Sequence, residues 1–110
     1  MTLQAGEVVL ISVQFHQGTG TKVRPALVLL DTGDEDFVAA PITSRARGTE
    51  YDFLLQDWKA CGLNVESYVR IHKLTVLAKT EIIRRLGILS GADRNSLHQI
   101  LCHAFCRNAV

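Results

Sequence analysis

The chain has 110 residues, 47% hydrophobic and 21% charged, with a formal net charge of +1. That balance describes one globular domain over residues 1–110 and excludes a strongly basic nucleic-acid coat, though not a local basic patch. No apolar stretch approaches the length of a membrane span, and Met1 to Gly6 lacks the basic and apolar regions of a signal peptide, so the cytoplasm is the expected location and no membrane partner is expected.

In chain order, Glu7 to Val13 reads as an apolar strand and Gln14 to Thr21 as a polar loop carrying Gly18 and Gly20. Val23 to Leu30 is a second strand, Asp31 to Asp34 a turn, and Phe37 to Ile42 a third strand, which together make a meander. Ser44 to Gly48 is a basic loop, and Tyr51 to Leu55 a fourth strand. A short helical connection through Trp58 follows, closed by Gly62. Tyr68 to Ile71, Leu74 to Ala78 and Ile82 to Leu89 complete the strands. Ser90 starts a helix, with Asp93 placed to answer it in a capping box; Leu97, Ile100, Leu101, Ala104 and Phe105 form the stripe that docks it on the sheet.

The chemistry collects at strand ends. Arg24 stands before Pro25, which keeps it out of a helix, and its planar, permanently charged fork suits a phosphodiester. Lys22, Arg45, Arg47, Arg70, His72 and Lys73 also lie near strand ends or turns. They read either as a basic patch or as solvated cations offset by Glu50, Asp52, Asp57 and Glu66; Arg24 itself has Asp31 and Asp52 as alternative surface partners. Gly18 to Lys22 resembles a phosphate loop but lacks glycine directly before the lysine and a following Ser or Thr, so a nucleoside-triphosphate site is rejected.

Cys61, Cys102 and Cys106 are odd in number and without framework spacing, which fits a reducing compartment. On a helix, His98, Cys102 and Cys106 would stand in a row rather than converge, so no metal site is assigned, no cofactor is expected, and the thiols read as buried or half-buried.

Taken in order, Gly6-Glu7-Val8-Val9-Leu10, Arg24-Pro25-Ala26-Leu27-Val28, Pro41-Ile42-Thr43-Ser44, Trp58 with Gly62-Leu63, Ser67-Tyr68-Val69-Arg70 and Leu86-Gly87 resemble the MazF/PemK family of toxin endoribonucleases over nearly the whole length. The resemblance implies a small SH3-like β-barrel of the MazF/PemK/CcdB type with a C-terminal α-helix, hence a mainly β fold with one α element. It implies a homodimer and a cognate antitoxin partner, with DNA bound together with that antitoxin. The implied activity is that of an mRNA interferase, cleaving single-stranded RNA without a metal. A barrel that kept the fold but binds RNA or a partner without cutting is the alternative.

Carried across residue by residue, the resemblance places catalytic roles on Arg24, Thr43 and Arg70. It departs at His72, where some members continue Val69-Arg70-Ile71 with aspartate. Either His72 replaces that carboxylate as proton carrier, or proton transfer rests on Arg24 and His72 contacts phosphate or base. His16, Lys22, Ser44, Arg45, Arg47 and Lys73 are the expected RNA contacts. Metal-free cleavage uses the 2′-hydroxyl as nucleophile, so the protein needs cations for the charge on the transition-state phosphate and a route for the proton.

Overall fold

The structure is a computed structural model that describes residues 1–14 and 20–106. Its strands are β1 (Glu7–Gln14), β2 (Thr21–Asp31), β3 (Asp36–Thr43), β4 (Asp52–Leu54), β5 (Tyr68–Arg70), β6 (Thr75–Ala78) and β7 (Ile82–Ile88), followed by helix α1 (Gly91–Phe105). All pairings are antiparallel. The strand order is β4-β5-β3-β2-β1-β7, with β6 also on β3, so β1 to β3 form the expected meander. The sheet curls like a barrel, but β4 and β7 end the path rather than pairing with each other.

Alternation divides the sheet between two apolar clusters. Val8, Leu27, Ala40, Ile42, Val69 and Ile71 pack with Leu97 of α1 on one side; Val9, Ile11, Ala26, Val28, Phe37 and Ala39 pack together on the other. Burial on both faces explains why β1 and β2 read as nearly continuous apolar runs instead of alternating ones.

Four expectations need correction. The segment through Trp58 is a run of turns, not a helix: its amides reach back three residues, from Ala60 to Asp57 and from Cys61 to Trp58. It ends in the pair Gly62 N–H to Lys59 O and Leu63 N–H to Trp58 O, which needs the positive φ of +78° at Gly62. A Cβ at Gly62 would collide with the backbone of Leu86, and one at Gly87 would come within 2.6 Å of Cys61, so this turn lies directly on β7. Second, Ile71–Lys73 is a 3-10 turn, so the strand expected over Tyr68 to Ile71 ends at Arg70.

Third, the capping box is half formed. The Ser90 hydroxyl accepts from the Asp93 amide at 3.2 Å, but the Asp93 carboxylate, fully buried, accepts instead from the amides of Gln56 and Asp57, each at 2.9 Å. Fourth, Phe105 is 49% exposed at the end of α1, while Ile100, Leu101 and Ala104 do pack on the core. Among the described residues no helix is long and apolar enough to cross a membrane.

Candidate functional site

The two prolines of the chain mark where the sheet comes apart. β2 and β3 are paired only as far as Ala26–Pro41. Beyond that, Thr21 to Pro25 continue against β1, whereas Ile42 and Thr43 turn to β5. A proline cannot donate to a neighbouring strand, so the ladder is easily ended next to Pro25 and Pro41. A cleft of about 670 Å³ opens in the split, with Lys22 to Pro25 on one bank and Ile42 to Ser44, Arg45 and Arg47 on the other. Counting the register onward from Ala26–Pro41 sets Arg24 opposite Thr43 across it, on the same face.

The far wall is built by Gly62 to Val65 and Ser67, and by Leu10, Arg84 and Leu86. No aspartate or glutamate lines the cleft, and the side chains of Arg24, Arg45, Arg47 and Arg84 make no ion pair or hydrogen bond among the described residues. Cations gathered without carboxylates in a concave site raise the local potential for an anion. Thr43 is oriented to serve the same anion, since its Oγ1 accepts the Arg45 amide at 3.1 Å and so leaves the hydroxyl proton free to be donated.

The surface partners considered for Arg24 are taken by other cations. Asp31 pairs with Lys79 at 2.8 Å and accepts the Leu3 amide at 2.8 Å; those bonds, the amide first, hold its carboxyl far below the usual range. Asp52 pairs with Arg70 at 2.9 Å. Burial pushes the Asp52 carboxyl up, but the bonds from Arg70 and from the Thr49 hydroxyl and amide outweigh it, so the group lies below its ordinary value and stays ionised at neutral pH.

Arg70 and His72 do come together, but they do not line the cleft. Arg70 shares the face of Thr43, two residues along β5 from Tyr68, the partner of Thr43, and its fork is turned to Asp52 through Nε and to His72 through Nη2, 3.4 Å from Nε2. A guanidinium only donates, so Nε2 accepts and the ring proton sits on Nδ1, which is buried and unpartnered among the described residues. The Tyr51 ring stacks at a tilt, 5.7 Å away. Lys73 is exposed on the same 3-10 turn. Of the expected RNA contacts, Lys22, Ser44, Arg45 and Arg47 therefore join Arg24 and Thr43, Lys73 does not, and His16 lies outside the described residues.

The thiol expectation holds only for Cys61. Burial, reinforced by the charges of Asp93 and Asp57, pushes that thiol up to about 11, and it donates to the Asp57 carbonyl; Cys102 and Cys106 are exposed. Among the described residues no group of three or more metal-ligating side chains converges.

A small, barrel-like antiparallel sheet, split at one rim into a cationic cleft and backed by a C-terminal helix, defines the class of protein. The profile of the PemK-like, MazF-like toxins of type II toxin-antitoxin systems matches residues 4–105, and the chain belongs to that family. It is similar in fold to MazF (Form-I) from Deinococcus radiodurans, at 22% identity and a TM-score of 0.72 over 94% of this chain and 96% of that one. It is also similar to the Mycobacterium tuberculosis toxin MazF-mt6, at 22% identity and a TM-score of 0.69 over 89% and 96%. An endoribonuclease in complex with its cognate antitoxin from a mycobacterial species matches at 21% identity and 0.69 over 94% of each chain. No curated protein sequence matches significantly.

Proposed function

We propose that this toxin is an endoribonuclease that cleaves single-stranded RNA by attack of the 2′-hydroxyl, without a metal. The observation that carries the reading is the cleft in which Arg24 and Thr43 face one another with no carboxylate in the lining. The 2′-oxygen bonds to phosphorus as the bond to the 5′-oxygen breaks, leaving a 2′,3′-cyclic phosphate; water takes the 2′-hydroxyl proton and returns one to the departing 5′-oxygen, while Arg24 supplies charge-assisted hydrogen bonds to the non-bridging oxygens and Thr43 donates its hydroxyl to the same group. Family membership and the likeness to an endoribonuclease support it. A long unstructured RNA incubated with the purified protein and excess EDTA is expected to be cut at the rate seen without chelator. Activity abolished by EDTA and restored by magnesium would contradict the metal-free route.

Arg70 and His72 act in this scheme from beside the cleft. Asp52 and His72 fix the Arg70 guanidinium on the face it shares with Thr43, and His72 stands outside the cleft lining with Nε2 turned to Arg70 and Nδ1 buried. His72→Ala is therefore expected to lose less than about tenfold in single-turnover rate and to keep the wild-type pH profile, because the neutral-range ionisation of an imidazole is not in use. Loss of such an ionisation in the alanine variant would restore His72 as the proton carrier.

The same reading includes a homodimer and a cytoplasmic antitoxin whose acidic segment competes with RNA for the cleft. Leu30 and Val76, 54% and 61% exposed, flank Val38 in one cross-strand row and give the sheet an apolar outer surface suited to a second subunit. Light scattering should report about twice the monomer mass; a strictly monomeric active protein would remove the dimer from the account.

A further inference from the structure

We propose that the wall of the cleft formed by β7 and residues 62–67 is a second nucleotide subsite, in which Arg84 binds the phosphate adjacent to the scissile one and Asn64 reads the attached base. This rests on the assignment of single-stranded RNA as the ligand.

Arg84 is placed there by register. It pairs with Leu10 of β1, and Leu10 pairs with Pro25 of β2, so these three share one face of the ribbon. Arg24, next to Pro25, belongs to the other face. The two arginines thus come to the cleft from opposite faces of the sheet, and with β1 between β2 and β7 their backbones lie on the order of 10 Å apart, two strand spacings. That separation suits successive phosphates of one chain better than a single phosphate. Arg84 is exposed, has no partner among the described residues, and is the cation of β7 that lines the cleft.

The neighbouring arginine shows what an ordinary surface role looks like on this strand. Arg85 faces away, pairs with Glu7 at 2.8 Å and donates to the Thr2 carbonyl. Beside Arg84, Asn64 and Val65 are exposed on a segment held against β7 by the Gly62 and Gly87 contacts. The Ser67 hydroxyl is occupied with the Val65 carbonyl, whereas the Asn64 amide has no partner among the described residues. An amide offers a donor and an acceptor together, the pairing that a base edge matches, and Val65 supplies apolar surface for the ring.

The test uses one fluorescent unstructured RNA for both binding, by anisotropy across a salt series, and cleavage. Arg84→Ala should weaken binding roughly tenfold, the loss of one charged contact. It should also reduce the slope of log affinity against log salt by about 0.7, the value of one phosphate on a single strand. Arg84→Lys should keep the slope, and Arg85→Ala should match the wild type. Asn64→Ala should redistribute the cleavage sites while leaving the slope alone. An Arg84→Ala protein with wild-type affinity and slope overturns the subsite, and an unchanged cleavage pattern in Asn64→Ala overturns the base reading. If the wild type binds the RNA but does not cut it, the endoribonuclease reading fails, and the Arg84 salt slope still decides the subsite.

Discussion

Arg24→Ala is expected to lower single-turnover RNA cleavage by about two to three orders of magnitude, the size of losing one preorganised donor to a developing charge. Its thermal stability should stay close to wild type, since the side chain is exposed and makes no ion pair or hydrogen bond among the described residues. Arg24→Lys should recover little of the rate, because an ammonium is a point charge without the planar fork. An alanine variant that loses activity only in proportion to the fraction unfolded would make Arg24 a structural residue and leave the cleft without its main cation.

Asp93→Ala should give the largest stability loss of any single polar substitution on α1. The carboxylate is fully buried and accepts the amides of Gln56 and Asp57. Two orphaned amides cost about 1–3 kcal/mol each, so a loss of roughly 3 kcal/mol follows, or a fall in Tm of roughly 10–20 °C for a domain of this size. Asp93→Asn keeps an acceptor oxygen and should fall between. A thermal melt shifted by less than about 3 °C in the alanine variant would show that these amides find other partners.

The strands were legible because their apolar, β-branched runs are bounded by turns. Arg24 was legible because Pro25 follows it, and Thr43 because it closes an apolar run in a segment that resembles the family signature. What those prolines do was not visible locally: parting of β2 from β3 depends on which other strand each one pairs with. Arg84 escaped for the same reason. Two consecutive arginines in β7 put the same residue type on both faces, and only the pairing with Leu10 says which face meets the cleft. A signal was present, since adjacent arginines within an apolar strand cannot both face the same way.

The capping box misled because its pattern is local while the competitor is not. Ser90 caps as expected, but Asp93 finds amides 36 and 37 residues away. The Trp58 segment was expected to be helical, yet its amides reach back three residues and it closes in the Gly62 turn directly against β7. Arg70 and His72 were both expected at the site; the 3-10 turn after β5 brings their side chains together, but away from the cleft.

The most direct test of a 2′-hydroxyl mechanism in the split of β2 and β3 is the chemistry of the cut ends. RNA cleaved in excess EDTA should carry a 2′,3′-cyclic phosphate on the upstream fragment and a 5′-hydroxyl on the downstream one, and a DNA of the same sequence should stay intact. Fragments ending in 3′-hydroxyl and 5′-phosphate, or cleavage of the DNA, would contradict the account.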